Sequence, residues 1–332
     1  MKRSTATPLA TMTTLGIGGP ARELAIAESI DELREVARAS EHLLVLGSGS
    51  NVVIGDAGWD GTVVQLGWRD VAISGDVVTV AGGVEWDDFV GQMIDDGRAG
   101  LECLSGIPGR VGATPMQNVG AYGQEVADTI IAVEAIDRFT GELARFPSER
   151  CGFAYRTSWF KGTSRWIVTA VAFELPRREP APIRYAELVK AIGERAGLRE
   201  IRDAVIALRR GKGMVVDPND PDSKSAGSFF TNPIVDAHDA HAIAAQAGAT
   251  PPSWPQPDGR VKVSAAWLIE RAGFTKGTAR GRVGISTKHA LALVNRGGAT
   301  ASELLAFAGE IQTAVRDRLG AVLELEPVVV TR

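Results

Sequence analysis

Three short segments carry side chains that could do chemistry. The first is SAGSFFTNP, residues 225–233, where the lone hydroxyl of Ser228 follows three small residues and precedes Phe229 and Phe230. An ordinary turn entering a strand would account for it. So would a proton donor, because small neighbours let a ligand approach Ser228 closely. The second is CGFAYRTSWFK, residues 151–161, which sets Arg156 among aromatic residues. A guanidinium in so apolar a stretch needs a partner, because an unpaired buried charge is costly. A structural ion pair would serve, and so would a substrate carboxylate held in a bidentate fork. The third is the tail LELEPVVV, residues 323–330, where Glu324 and Glu326 share one face of a regular strand. A carboxylate there is either an exposed edge residue or a catalytic group.

Two glycine-rich segments could hold a ligand beside these groups. GSGSN, residues 47–51, follows a short apolar run, and LSGIPGRVGATPMQNVGAYG, residues 104–123, is glycine-rich yet apolar. The first resembles G-x-G-x-x-G only as far as its second glycine, since Val52 stands at the third position and VIGDAGWDG beyond it is turn-rich. A dinucleotide site of the βαβ type is therefore not expected. Successive backbone N–H groups on such loops can still cradle phosphates. Two loops of this kind suggest a large phosphate-bearing cofactor, with plain tight turns as the alternative.

These segments need a scaffold. Ser29-x-x-Glu32 and Thr300-x-x-Glu303 are capping-box patterns that open helices, the second running over 300–320. HLLVLG (42–47), GTVVQL (61–66), DVVTVAGG (76–83) and WIVTAVAFEL (166–175) read as strands. VEWDDFVGQMIDDG (84–97) puts Trp86, Phe89, Val90 and Met93 on one helical face, with Gly97 just beyond its end. RREPAPIR (177–184) is a connection, 185–212 reads as two helices and 264–273 as another, and AVLELEPVVV (321–330) closes the chain as a strand. Strands and helices mix without regular β-α-β alternation, which predicts an α+β protein.

Composition narrows the function classes. At 332 residues the chain is long enough for two or three packed units. A net charge of −4 gives no polyanion-binding bias, and the basic run Arg209, Arg210, Lys212 lacks interleaved aromatics, so no nucleic-acid partner is expected. No apolar run reaches membrane-spanning length, and MKRSTATPLATMTTLGIGG lacks the apolar stretch of a secretory signal. Two cysteines, Cys103 and Cys151, are too few for a disulfide framework, and His238-x-x-His241 lacks a third ligand, so no metal site is expected. A cytoplasmic, reduced protein with no membrane partner is the expectation, and a monomer, since nothing marks an exposed apolar seam.

Taken in order, GSGSN, LSGIPGRVGATPMQNVGAYG, YRTSWFK, AGSFFTNP, SAAWLIERAGF and LELEP resemble the UDP-N-acetylenolpyruvoylglucosamine reductase family over about residues 10–330. These are flavoenzymes that make UDP-N-acetylmuramate for bacterial peptidoglycan. The resemblance implies an α+β FAD-binding fold of the vanillyl-alcohol oxidase and p-cresol methylhydroxylase type. It implies a first FAD subdomain over 1–64 joined by the terminal strand 320–332, a second over 65–205, and a substrate domain over 206–319. It implies noncovalent FAD, held by Gly47, Ser48, Gly49, Ser50 and Asn51 and by Gly106, Ile107, Pro108, Gly109, Gly112, Ala113, Gln117, Asn118, Gly120, Ala121 and Tyr122. NADPH would supply hydride to FAD and then leave, and the enolpyruvyl ether of UDP-N-acetylglucosamine would take it up at its vinyl carbon. By resemblance Ser228 is the proton donor, while Arg156 and Glu326 stabilise the enediolate. Tyr155, Tyr185, Lys212, Asn232 and His289 would bind substrate, with Tyr185 placing the chain in the form that carries a tyrosine-bearing loop. The sequence departs from the family at Thr231, where lysine is common, and at Leu325, where proline is common. The second departure leaves Glu324 and Glu326 as alternative registers, and the following Pro327 favours Glu326. Two rivals stand beside this reading: another flavin oxidoreductase of the same fold acting on a small alcohol or acid, and a nonenzymatic nucleotide-sugar binder.

Overall fold

The structure, a computed structural model, describes residues 1–331. Two compact units form. One comprises Met1–Thr7, Ala21–Ser48 and Trp59–Gly211, and the other Pro8–Pro20, Gly49–Gly58 and the chain from Lys212 onward.

The first unit is built on two sheets. A four-stranded sheet runs in the order Lys2–Pro8, Pro20–Ala27, Trp59–Leu66, Leu43–Val45, with Trp59–Leu66 parallel to both neighbours that follow the first strand. Helix α1 (Ile30–Ala39) lays Leu33, Val36 and Ala37 against it. Ser29 Oγ accepts from the Glu32 amide at 3.2 Å, but the Glu32 carboxylate caps the Glu28 amide at 2.8 Å instead of returning to Ser29. A five-stranded antiparallel sheet runs Leu143–Pro147, Ile130–Asp137, Trp166–Glu174, Val77–Ala81, Val71–Ser74. Helix α2 (Trp86–Asp95) packs Trp86, Phe89, Val90 and Met93 into the core of this sheet, as the spacing predicts. The strand Ile130–Asp137 escapes a sequence reading because it is buried on both faces and shows no polar alternation. Helices α3 (Ala186–Ile192) and α4 (Leu198–Gly211) cover a separate small cluster around Cys103, Leu188 and Val205.

The second unit gathers α5 (Ala237–Ala247), α6 (Ala265–Arg271) and α7 (Ala301–Leu319) around one core that includes Phe229, Phe230, Leu268, Leu304 and Phe307. The capping box of α7 is reciprocal: Thr300 Oγ1 accepts from the Glu303 amide at 3.1 Å, and Glu303 accepts from the Thr300 amide at 2.9 Å. The C-terminal segment corrects the sequence expectation. Only Val328–Val330 forms a strand, parallel to Val52–Ile54, and residues before it make a single bridge at Leu325. Pro327 has no N–H to give to a ladder, which separates the two pairings. Among the described residues no helix is long and apolar enough to cross a membrane.

Candidate active site

The segments that carry Ser228 and Glu326 pair within the second unit. Phe230 bridges Leu325 in antiparallel fashion, the Glu326 amide donates to the Phe229 carbonyl at 3.0 Å, and the Thr231 amide donates to the Glu324 carbonyl at 3.0 Å. On the other side the Phe229 amide donates to the Leu291 carbonyl at 2.7 Å. The segment carrying Ser228 is thus held between two chain-distant stretches. Phe229 and Phe230 are both fully buried, with ring centroids 5.7 Å apart in an edge-on contact. Burying two such rings contributes about 2–3 kcal/mol each. Gly227 has φ +71° and a Cβ there would meet nothing within 4 Å. Its glycine answers to backbone angle, and the space it borders is open. Glu326 is half-buried whereas Glu324 is exposed.

Arg156 belongs to the first unit and has φ +53°. A non-glycine residue in the left-handed region costs about 1–3 kcal/mol unless its surroundings hold it there. Arg156 Nη2 donates to the Gly120 carbonyl at 2.8 Å, and its guanidinium lies 5.2 Å from the centroid of the Tyr155 ring. Asn118 and Tyr122 also have positive φ, at 47° and 50°. Among the described residues, three of the four non-glycine residues in this conformation therefore fall among the predicted site residues.

The two glycine-rich loops approach one another inside the first unit. A Cβ on Gly47 would lie 3.8 Å from Ala113 Cβ and 3.9 Å from Arg110 Cβ, which is ordinary contact. Ser48 Oγ donates to Glu85 at 2.9 Å, and Arg110 Nε donates to the same carboxylate at 3.1 Å. The rest of GSGSN belongs to the second unit, where a Cβ on Gly49 would strike the Met12 carbonyl oxygen at 2.1 Å. Close packing on protein backbone, as well as any ligand, demands glycine at 49. Around the second loop the Gly106 amide donates to Asp87 at 2.6 Å and its carbonyl accepts from Arg209 Nε at 3.1 Å. Asn118 Nδ2 donates to Glu125 at 2.6 Å, and its Oδ1 accepts from the Ala127 amide at 3.1 Å.

Within the first unit, the loop residues around 47–48 and 106–123 are compatible with the phosphates of FAD. The loops offer small residues and backbone amides suited to phosphates. Neither loop contains histidine, and the neighbouring Cys103 is buried with its thiol pushed up to about 12, so no thiolate stands ready for a covalent link.

The predicted substrate contacts are distributed over both units. Tyr185 forms the N-cap of α3, is 43% exposed, and meets the Tyr122 ring edge-on at 5.2 Å between centroids. Burial pushes the Tyr122 phenol up to about 12 and also raises Tyr185, so both remain protonated hydrogen-bond donors at neutral pH. Lys212 follows α4 directly. Asn232 Oδ1 accepts from the Ala265 amide at 2.9 Å and so steadies the first turn of α6. The His289 amide donates to Ser286 Oγ at 3.2 Å in a tight turn. Sequence reasoning missed Glu85, Asp87 and Arg110, whose carboxylates and guanidinium tie the loops together. Their only local signal was charge near glycine, since their partners lie 19 to 37 residues away.

The α+β scaffold carries an FAD-binding domain and belongs with FAD-dependent oxidoreductases. A family model for an FAD binding domain matches residues 22–146, and one for the C-terminal domain of UDP-N-acetylenolpyruvoylglucosamine reductase matches residues 218–330. The UDP-N-acetylenolpyruvoylglucosamine reductase of Thermobifida fusca is 52% identical, over 97% of this chain and 96% of its own. That of Mycolicibacterium smegmatis is 49% identical, over 98% and 94%. The crystal structure of the Thermus caldophilus enzyme superposes with a TM-score of 0.70 at 30% identity, covering 99% of this chain and 98% of that one. The chain belongs to the UDP-N-acetylenolpyruvoylglucosamine reductase family.

Proposed function

We propose that Ser228, Arg156 and Glu326 carry the chemistry by which this chain reduces UDP-N-acetylglucosamine enolpyruvate to UDP-N-acetylmuramate, a step of peptidoglycan synthesis. FAD, which residues 47–51 and 106–122 would hold, would supply the hydride, drawn from NADPH, for the vinyl carbon of the enolpyruvyl group. The protein's task is the charge that then develops beside the substrate carboxylate. Arg156 places positive charge against it, and Glu326 in its protonated form donates a hydrogen bond. Ser228 gives its proton to the adjacent carbon. A hydroxyl is a weak acid, but the acceptor here is a strong base, so the transfer runs downhill. Tyr155, Tyr185, Lys212, Asn232 and His289 bind the sugar nucleotide without entering the chemistry. The FAD-binding parts are 1–64 with 320–332 and 65–205, the substrate part is 206–319, and the protein acts as a monomer in the cytoplasm.

The observation that supports this most is the pairing of Phe229–Thr231 with Glu324–Glu326. It brings the half-buried residue Glu326 opposite Phe229, the residue after Ser228, across 98 residues of chain. Anaerobic titration tests the proposal. Protein bleached with stoichiometric NADPH should recover its oxidised flavin spectrum on addition of UDP-N-acetylglucosamine enolpyruvate. A flavin that stays reduced would assign a different acceptor.

A further inference from the structure

Lys161 is not among the residues given a part in the reaction, yet its ammonium lies 2.8 Å from the backbone carbonyl oxygen of Arg156. That carbonyl belongs to a residue in the left-handed region, φ +53°, which an arginine adopts only when its neighbours impose it. The turn is narrow: Ala154 and Thr157 bridge each other through hydrogen bonds of 3.1 and 3.2 Å, with Arg156 inside the loop they close. Downstream, the chain is anchored by buried groups. Ser158 Oγ donates to the Met116 carbonyl at 2.8 Å and accepts from the Phe160 amide at 3.2 Å, while Phe160 is fully buried. Lys161 therefore starts from a fixed point and reaches back over the turn.

The far end of Arg156 is fixed by Gly120. Arg156 Nη2 donates to its carbonyl, and a Cβ on Gly120 would lie 3.2 Å from Arg156 Nη1 and 2.8 Å from Glu125 Cγ. A side chain at residue 120 would crowd the guanidinium and the Glu125 side chain. Arg156 is thus held at both ends, by an ammonium on its backbone carbonyl and by a glycine carbonyl under its guanidinium.

We propose that Lys161 is a positioning residue for Arg156: its charge-assisted hydrogen bond holds the left-handed turn that aims the guanidinium at the substrate carboxylate. An ammonium on a carbonyl is stronger than a neutral donor, and a displacement of about 1 Å in such a group costs roughly 10²-fold in rate. This rests on the role given above to Arg156, and the experiment separates the two.

Anaerobic stopped-flow on the flavin-loaded enzyme reads flavin reduction by NADPH and flavin reoxidation by UDP-N-acetylglucosamine enolpyruvate apart. Lys161→Met should slow reoxidation by about 10- to 100-fold, leave reduction within about twofold, and retain flavin. Lys161→Arg, which keeps a charged donor, should recover most of the loss. Equal slowing of both half-reactions, or no recovery in Lys161→Arg, would mean that Lys161 only supports the fold. If Lys161→Met does not accumulate folded, Lys161→Gln decides: a severalfold slower reoxidation at unchanged reduction supports the role, and unchanged reoxidation overturns it. Arg156→Lys is the reference. Slow reoxidation there with normal Lys161→Met overturns the positioning role alone, and normal reoxidation in Arg156→Lys overturns both assignments.

Discussion

The turn that carries Ser228 is held by burying two whole aromatic rings, whereas the turn that carries Arg156 is held by polar contacts to a backbone in the left-handed region. The first relies on hydrophobic burial and β pairing, which do not depend on charge. The second stores about 1–3 kcal/mol of conformational strain against a few directed hydrogen bonds. The difference fits the role proposed for each group. A neutral hydroxyl needs only a fixed place beside an open approach. A guanidinium that must grip a carboxylate needs orientation, and its charge has to be kept in polar company.

The strongest test of the comparison removes the hydroxyl and leaves its support intact. Ser228→Ala keeps Phe229, Phe230 and the pairing with Glu326, so the fold should persist. Flavin reoxidation by substrate should fall by about 10²- to 10⁴-fold, with flavin reduction by NADPH near normal. Parallel loss in both half-reactions would make Ser228 a structural residue and remove the proton-donor role.

Glu326 sharpens the same region at the next level. Glu326→Ala removes the side chain but not the backbone amide that bonds Phe229. Reoxidation should slow by about 10²- to 10³-fold, the range for losing one preorganised donor. Glu326→Gln retains a neutral donor and should lose clearly less. Equally small effects from both substitutions would remove Glu326 from the chemistry. The parallel substitutions at exposed Glu324 should do little, which resolves the register that the terminal motif leaves open.

What was legible in the sequence was local. The capping box at Thr300, the apolar face of α2 and the glycines of both loops announce themselves within a few residues. The family resemblance carried the site residues, since no local pattern could pair Phe230 with Leu325 or seat Ser48 and Arg110 on one carboxylate. The tail misled because valines and alternating glutamates look like one strand, while Pro327 divides it into a bridge and a separate parallel pair. Arg156 in the left-handed region was beyond reach for another reason. Arginine has no preference for that conformation, so only its contacts reveal it.

The turn that carries His289 lies in the same unit as Ser228 but is held in the manner of Arg156, by polar contacts. Asp222 is buried; its carboxylate accepts from the Thr287 amide at 2.9 Å and from Thr287 Oγ1 at 2.5 Å, and neighbouring Lys288 reaches Asp220 at 2.8 Å. Burial pushes the Asp222 carboxyl up, but the bonds from Thr287 and Ser286 and the charge of Lys288 outweigh it and hold the group below its ordinary value. A carboxyl depressed in the folded state adds stability above its unfolded pKa of about 3.9 and loses it as pH falls through the folded value. Asp222→Asn should therefore cost about 1–2 kcal/mol at pH 7, read by urea unfolding, and the difference from the parent should shrink as pH drops below about 4. A difference that stays constant down to pH 3 would trace the loss to packing at Thr287 and not to the charge. Ser228→Ala, by contrast, should show no such acid dependence, because the hydroxyl it removes carries no charge in this range.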